Sequence, residues 1–184
     1  MPRTRIVDAA YAPMIAAIRG DHAPNLLYLH HQPGTGVQDL LLVPRFFFTE
    51  QCIEKRKPLA DTARRAGWIG CNIRLDLIAP EGRIYLVAAG NPAQAKNVRE
   101  QFRRVAPLRR IAPSLRGWAL AVLLQLHKLG APIFTLEDAY RAEPALAALF
   151  PNNRNIRPKI RQQLQVLRDL EILVFEGRGR YRLV

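Results

Sequence analysis

The sequence predicts a two-part chain of the mixed α+β or α/β class, with an incomplete sheet layer followed by a C-terminal winged-helix domain. Three observations predict this arrangement. Apolar runs of strand length occur within residues 25–88, and three helical segments follow Pro113. Two short apolar runs at the end of the chain are joined by Gly177-Arg178-Gly179. We therefore expect domains at residues 1–112 and 113–184.

The front domain is expected to contain one short helix and three or four strands. So few strands make a thin layer for a sheet that is covered on both faces. In order, we expect a helix at 8–19 interrupted by Pro13, buried strands at 25–31 and 39–48 around a Pro33-Gly34 turn, a further strand at 83–88, and a linker at 90–113 that carries the basic stretch 96–110.

Three helices and a terminal hairpin are expected in the C-terminal domain. Capping and helix-ending residues set the bounds of the helices. In order, we expect a helix from a Ser114 cap to Leu129 with Trp118, Val122 and Leu126 buried, a second from the Thr135–Asp138 capping box to Phe150, a third after an Asn155 cap with Pro158 in its first turn, and strands at 172–175 and 181–184. This is the order of a winged helix, whose third helix enters the major groove of DNA.

The third predicted helix has two distinct faces. Four apolar residues fall within roughly 80° of one another and form a core stripe, namely Ile156, Ile160, Leu164 and Leu167. Four arginines occupy a separate arc about 60° wide, and two glutamines continue it: Arg154, Arg157, Arg161, Arg168, Gln162 and Gln165. This arc contains no acidic residue before Asp169, and unpaired Arg and Gln are the side chains that recognise guanine and adenine edges. The alternative is an ordinary solvated basic helix.

The formal net charge of +13 is unevenly distributed. Residues 1–50 carry no net charge, residues 51–115 carry +8 and residues 116–184 carry +5. The second and third segments are therefore expected to bind a polyanion, for which double-stranded DNA is the best candidate. No apolar run has the length of a membrane span, and the first residues lack a secretory signal, so we expect a cytoplasmic protein without a membrane partner. Cys52 and Cys71 predict neither a disulfide framework nor a zinc site.

Residues 55–74 combine basic side chains with a tryptophan. Trp68 lies between Gly67 and Gly70, and Arg64 and Arg65 precede it. Glycines beside a tryptophan let another backbone approach the ring, so Trp68 is a candidate for stacking on a base or wedging into a base step. A core position for Trp68 is an equally good interpretation of the composition.

Five segments carry a family resemblance: RKPLADTARRAGWIGCNI at 56–73, EGRIYLV at 81–87, FTLEDAYRAE at 134–143, IRQQLQVLRD at 160–169 and GRGRYR at 177–182. The chain resembles the DpnI-like methyl-directed restriction endonucleases and the Dam-replacing proteins over essentially its whole length. The resemblance implies a PD-(D/E)xK nuclease domain followed by a winged helix, which together bind GATC duplex DNA carrying N6-methyladenine. It also implies that Arg64, Arg65 and Trp68 contact DNA, and that the third helix with Arg178 forms a second methyl-sensitive surface.

The chain departs from that family at the catalytic residues. Such nucleases hold Mg²⁺ with a Pro-Asp and, some ten residues later, a Glu-x-Lys, and this arrangement is absent here. We therefore expect no catalytic residue, no metal ligand and no resident cofactor, with Mg²⁺ required only if the missing N-terminal hairpin is supplied. Either Met1 is not the true start or the protein is a fragment that has lost catalysis; alone, the chain is expected not to cut DNA.

The expected DNA-binding residues are therefore Arg64, Arg65, Trp68, Asn153, Arg154, Arg157, Arg161, Gln162, Gln165, Arg178 and Arg180. Two other classes of function stay open. A winged-helix transcriptional regulator or antitoxin would bind a longer, palindromic site without regard to methylation. A phosphodiesterase with unfamiliar residues would use acids such as Asp39, although a metal site of Asp39 with His30 and His31 is disfavoured because adjacent strand residues point to opposite faces. The sequence leaves the oligomeric state open.

Overall fold

A computed structural model describes residues 4–184 and has a mixed α+β architecture with antiparallel sheets. The predicted fold class is confirmed. The elements in chain order are β1 (Arg5–Ala10), α1 (Tyr11–Arg19), β2 (Leu26–Gln32), β3 (Gly36–Val43), β4 (Ile53–Lys55), β5 (Gly70–Arg74), β6 (Ile84–Ala88), β7 (Asn91–Pro92), α2 (Ala95–Val105), α3 (Pro113–Lys128), β8 (Ile133–Thr135), α4 (Leu136–Tyr140), α5 (Glu143–Leu149), α6 (Ile156–Asp169), β9 (Leu173–Gly177) and β10 (Arg180–Leu183).

Two antiparallel sheets form the front part of the chain. One has the order β2-β3-β6-β7 and the other the order β1-β5-β4. The predicted helix at 8–19 was wrong at its start, because residues 8–10 pair with β5 in an antiparallel ladder. Pro13 does not interrupt α1; it lies in the first turn, where its missing N–H has no intrahelical partner.

The strand predicted at 39–48 was too long. Strand β3 ends at Val43, and Pro44 leads into a 3₁₀ turn over Arg45–Phe47. The apolar run is continuous because the phenylalanines of the turn are buried as deeply as the strand. The buried character predicted for the strand at 25–31 was also wrong, since Leu27 and Leu29 of β2 are exposed and alternate with half-buried neighbours.

Strands β1 and β2 are edge strands of different sheets and lie on either side of an open cleft. The cleft has a volume of about 440 Å³ and is lined by Arg5–Val7 from β1 and Tyr28–His31 from β2. Within residues 4–184, neither strand has a hydrogen-bonded strand partner on its cleft side. The sheet layer is therefore divided, with unpaired edges and the exposed side chains of Val7 and Leu29 at the division.

The predicted linker at 90–113 was wrong. Residues 95–105 form α2 and residues 106–110 continue as a 3₁₀ helix. Val105 and Leu108 are fully enclosed in the core. A prediction from Pro and Arg content missed this helix because its apolar residues are few, although they recur at helical spacing on one face.

Three helical segments and a hairpin follow in the predicted order. The Thr135–Asp138 capping box is confirmed, with the Thr135 hydroxyl accepting from the Asp138 N–H at 3.2 Å. The predicted second helix consists of two pieces, α4 and α5, separated at Arg141–Ala142. Ser114 does not cap α3, since Ala112 is the N-cap, and Asn155 occupies the N-cap of α6 without a side-chain hydrogen bond.

A buried arginine joins α3 to the front sheets. Arg116 is 2% exposed and donates to the Asp21 carboxylate at 3.0 Å and to the Ile111 carbonyl at 2.9 Å. The Arg116 guanidinium holds the pKa of Asp21 below its usual range. Nearby, Gln51 lies against Gly117, where an added Cβ would be 2.6 Å from the amide oxygen. The C-terminal helices therefore pack directly on the front part of the chain.

Candidate nucleic-acid interface

Helix α6 presents its apolar stripe to the core and its polar arc to solvent, as the sequence predicts. The four stripe residues are buried, with Ile160 and Leu167 having no exposed surface. The exposed residues of the arc on α6 are Arg157, Arg161, Gln162, Gln165 and Arg168. Arg154 was predicted to share this arc, but it precedes the helix, which begins at Ile156, and is exposed there. Packing of the stripe against α3 and α4 therefore fixes which side chains of α6 are available to a ligand.

Three arginines of this arc, Arg157, Arg161 and Arg168, have hydrogen-bonding partners, which corrects the expectation from the sequence. Arg157 donates to Glu143 at 2.7 Å, and this carboxylate raises the pKa of the Arg157 guanidinium. Arg161 donates to the Tyr140 hydroxyl. The guanidinium carbons of Arg157 and Arg161 lie 5.0 Å and 5.6 Å from the centre of the Tyr140 ring. The partners come from α4 and α5, so the pattern of α6 alone could not reveal them.

These contacts give the arc a defined arrangement. An arginine that lies on an aromatic ring keeps part of its N–H fork free while losing conformational freedom. Such a side chain loses less entropy when it binds a base edge or a phosphate than a freely rotating one. Tyr140 thus positions the side chains of Arg157 and Arg161. This residue could not be predicted from the pattern of α6, because it lies on a separate helix.

A cavity opens at the amino end of α6. It has a volume of about 670 Å³ and is lined by Asn152–Asn155 and by the rings of Trp118 and Phe150. The two rings stack with their centroids 3.8 Å apart, and the Lys159 ammonium lies 5.9 Å above Trp118. Asn153 is half-buried, and its side-chain oxygen accepts from the Asn155 N–H at 2.8 Å. Lys159 was absent from the predicted residues.

The terminal hairpin carries two of the predicted arginines. Arg178 forms the tip between β9 and β10, and Arg180 is the first residue of β10; both are exposed. Arg178 has φ = 49°, between Gly177 and Gly179, which also have positive φ. A non-glycine residue in this region costs roughly 1–2 kcal/mol. The turn therefore exposes the Arg178 side chain at the tip of the hairpin.

The remaining predicted residues lie on a loop of the front part. Residues 56–69 connect β4 to β5. The loop closes through two hydrogen bonds, in which the Leu59 N–H donates to the Trp68 carbonyl at 2.9 Å and the Gly67 N–H donates to the Leu59 carbonyl at 3.1 Å. Arg64 and Arg65 are exposed, whereas Trp68 is half-buried. No hydrogen bond or ion pair within residues 4–184 joins these three residues to α6. The structure thus places the predicted residues in two groups, one on this loop and one on α6 with the hairpin.

The Trp68 ring lies directly over Gly70. A Cβ at Gly70 would be 2.7 Å from two ring atoms of Trp68, well inside van der Waals contact. Gly70 is buried in the first position of β5, so the backbone cannot move away freely. The glycine therefore sets the height of the ring above the sheet, and the half-buried ring fits neither a wholly core nor a wholly exposed position.

Gly70→Ala is expected to displace the Trp68 ring and weaken DNA binding several-fold without changing any charge. The measurement is a binding titration at fixed salt, with tryptophan fluorescence reporting the ring. Gly90→Ala is the matched control for an added methyl group away from the loop, although its φ of 80° adds backbone strain. Unchanged DNA affinity with a shifted fluorescence spectrum would show that the ring does not contact DNA.

The acidic, histidine and cysteine side chains of the front part were the other candidates for a functional site. Within residues 4–184, no three His, Cys, Asp or Glu side chains are arranged to hold a metal ion. His30 and Asp39 bond to each other at 3.0 Å. Both cysteines are free and buried, and burial raises the pKa of the Cys52 thiol to about 11. In the described part of the chain, no helix is both long enough and apolar enough to cross a membrane.

Comparison with protein families assigns both parts of the chain. The model of the Dam-replacing family (DpnI) matches residues 3–111. The model of the Dam-replacing HTH domain (DpnI_C) matches residues 114–183. These matches agree with an α+β front part and with a C-terminal helix-turn-helix domain whose third helix carries the basic arc. The chain is a DNA-binding protein that belongs to the Dam-replacing (DpnI) family.

Proposed function

We propose that this chain recognises N6-methyladenine in GATC duplex DNA, using α6 and the hairpin as one surface and the Trp68 loop as another. The observation that carries the proposal is the exposed arc of α6, where Arg161 is held on Tyr140 beside the exposed side chains of Gln162 and Gln165. The Gln162 amide nitrogen stays available, while its oxygen accepts from Gln163 at 3.4 Å. Arginine forms paired hydrogen bonds with guanine, and glutamine does so with adenine. GATC presents both bases on each strand.

Discrimination of one methyl group requires more than one contact. Burial of a methyl group contributes only about 1 kcal/mol, which is less than tenfold in affinity. N6-methylation leaves one hydrogen on the adenine amino group, so an amide partner such as Gln162 or Gln165 keeps a hydrogen bond. We propose that high selectivity comes from the two methyl groups of a symmetric site, contacted by the two surfaces separately.

We further propose that the chain alone binds DNA without cutting it. Its carboxylates do not provide the set of oxygens that Mg²⁺ prefers. Asp39 is held by His30 and by the Ala89 N–H, and Glu54 forms an ion pair with Arg5 at 2.9 Å. Cleavage would require the family's Pro-Asp and Glu-x-Lys, which residues 1–184 do not contain, to be supplied. No step of hydrolysis follows from the residues present.

The test is a titration of this chain, at fixed salt, against three short duplexes: fully methylated GATC, unmethylated GATC and a scrambled sequence. Salt is held constant because phosphate contacts alone change affinity by orders of magnitude. We expect tightest binding to the methylated duplex, and no nicked product when Mg²⁺ is added. Equal affinity for all three would contradict methyl recognition and favour a regulator with a longer site. Mg²⁺-dependent cleavage abolished by Asp39→Asn would favour the phosphodiesterase.

A further inference from the structure

Residues 96–110 form a basic surface that no predicted site includes. The α2 basic surface consists of six exposed side chains: Lys96, Arg99, Arg103, Arg104, Arg109 and Arg110. In the described part of the chain, none of the six forms an ion pair or a side-chain hydrogen bond. By contrast, Arg5, Arg19 and Arg74 on the other surfaces are held by carboxylates. The α2 basic surface therefore keeps its charge uncompensated.

The charges are concentrated along one side of α2. Lys96, Arg99 and Arg103 are spaced by three and four residues, so they fall within about 60° of one another. Like charges at this spacing repel and destabilise a helix by a few tenths of a kcal/mol per pair. The single acidic residue of α2, Glu100, leaves most of this repulsion uncompensated. This cluster of like charges reduces the stability of the free protein. A bound polyanion would neutralise the charges and remove that cost.

The opposite side of α2 is already occupied. Val105 is 2% exposed, and Val98 and Phe102 pack against the core, with the Phe102 ring 6.1 Å from that of Phe46. A helix that binds a lipid surface needs a free apolar face to insert below the headgroups. Helix α2 offers only its cations, which suits a partner with regularly spaced surface phosphates and no requirement for insertion.

The α2 basic surface adjoins the helix-turn-helix domain. Arg110 lines a groove of about 420 Å³ together with Lys159 and Gln162 of α6. Arg103 and Arg104 line a second cavity, of about 410 Å³, together with Leu170 and Glu171 at the end of α6. Basic side chains thus continue from α6 onto the front part of the chain, with the carboxylates of Glu81, Asp169 and Glu171 among them.

We propose that the α2 basic surface is a third DNA contact, which binds the phosphate backbone of the duplex outside the recognised bases and is independent of sequence and methylation. The inference rests on DNA as the partner, and not on the methyl specificity proposed above. Guanidinium and ammonium groups without carboxylate partners are free to displace counterions from phosphates. The exposed amides of α2, Asn97 and Gln101, lie outside the arc that Lys96, Arg99 and Arg103 share, so we expect the basic residues of this arc to supply affinity without base recognition.

The test uses the triple variant Lys96→Gln, Arg99→Gln, Arg103→Gln in the full chain. Each lost phosphate contact reduces the magnitude of the negative slope of log affinity against log salt concentration by about 0.9, so we expect the slope to become shallower by about 2 to 3. This change should be equal for methylated, unmethylated and scrambled duplexes of about 24 base pairs. Melting temperature should be unchanged or higher, because repulsion within α2 is removed.

The matched control is Arg5→Gln, Arg19→Gln, Arg74→Gln, which changes the net charge equally but replaces arginines already paired with carboxylates. An equal fall in salt slope for both triple variants would overturn the proposal, since net charge alone would explain it. An unchanged DNA slope combined with lost binding to phosphatidylserine vesicles would overturn it in favour of lipid. A reduced slope without any methyl preference in the parent chain would uphold this contact while rejecting the proposed methyl specificity.

Discussion

Arg116→Ala is expected to lower the free energy of unfolding by about 2–4 kcal/mol, since charged hydrogen bonds to buried groups contribute roughly 1.5–3 kcal/mol each. The substitution leaves the Ile111 carbonyl without its donor. It also leaves a cavity where the Arg116 side chain lies, because that residue is only 2% exposed. Chemical denaturation monitored by tryptophan fluorescence measures the change. We also expect loss of DNA binding at lower denaturant concentration than in the parent chain.

Asp21→Asn measures the stability contributed by the ion pair of Arg116 separately from that of its hydrogen bond to the Ile111 carbonyl. Asp21 has φ = 56°, a conformation that asparagine also tolerates. Its side chain is 38% exposed, so solvent weakens the ion pair. We expect this variant to lose less than about 1 kcal/mol. A loss as large as that of Arg116→Ala would mean that the ion pair, rather than the hydrogen bonds to the backbone, joins α3 to the front part.

Arg161→Ala is expected to weaken binding to methylated GATC by about 1–3 kcal/mol, or roughly 5- to 150-fold, with little change on a scrambled duplex. The expected loss is large because Arg161 is held by Tyr140 with its N–H fork at the exposed surface of α6. Titrations of the two duplexes at one salt concentration provide the measurement. Equal losses on both would assign Arg161 to a phosphate.

Arg168→Ala is the matched control for Arg161. It removes an exposed arginine of the same arc, but one that is bound by Asp169 at 2.8 Å. We expect Arg168→Ala to reduce the free energy of DNA binding by less than about 0.5 kcal/mol, because the guanidinium is already engaged in an exposed ion pair. Arg161→Lys adds a second comparison, because lysine keeps the charge but not the planar fork. Recovery of full affinity for GATC by lysine would contradict paired hydrogen bonds to a base.

The helix-turn-helix domain was the more predictable part of the fold. The stripe of α6 and the capping box at Thr135 are local patterns, and both were confirmed because packing agrees with them. Residues 8–10 and 95–105 were misassigned for a different reason. The former become a strand only because β5 provides a partner, and the latter become a helix whose few apolar residues pack on a distant part of the chain.

The candidate site was predictable only as a set of residue types. The exposed face of α6 followed from periodicity, but the pairing of Arg157 with Glu143 joins positions fourteen residues apart on different helices. Trp68 illustrates the same limit. Its composition allowed both a core and a DNA-binding interpretation, and only the packing of the ring on Gly70 defines its exposure. In both cases, contacts between separate helices and strands determine the partners and the exposure of the side chain. The local sequence pattern does not predict such contacts.

The helical segment that replaces the predicted linker would govern how the proposed DNA contacts cooperate. Two modules on a flexible tether meet their second target at an effective concentration set by tether length. Here α2 and the buried Arg116 hold the modules in one relative position instead. If the proposed contacts act together, a duplex bound at one surface would engage the next without a conformational search. A duplex of a different curvature would gain no avidity, so we expect DNA curvature to contribute to selection.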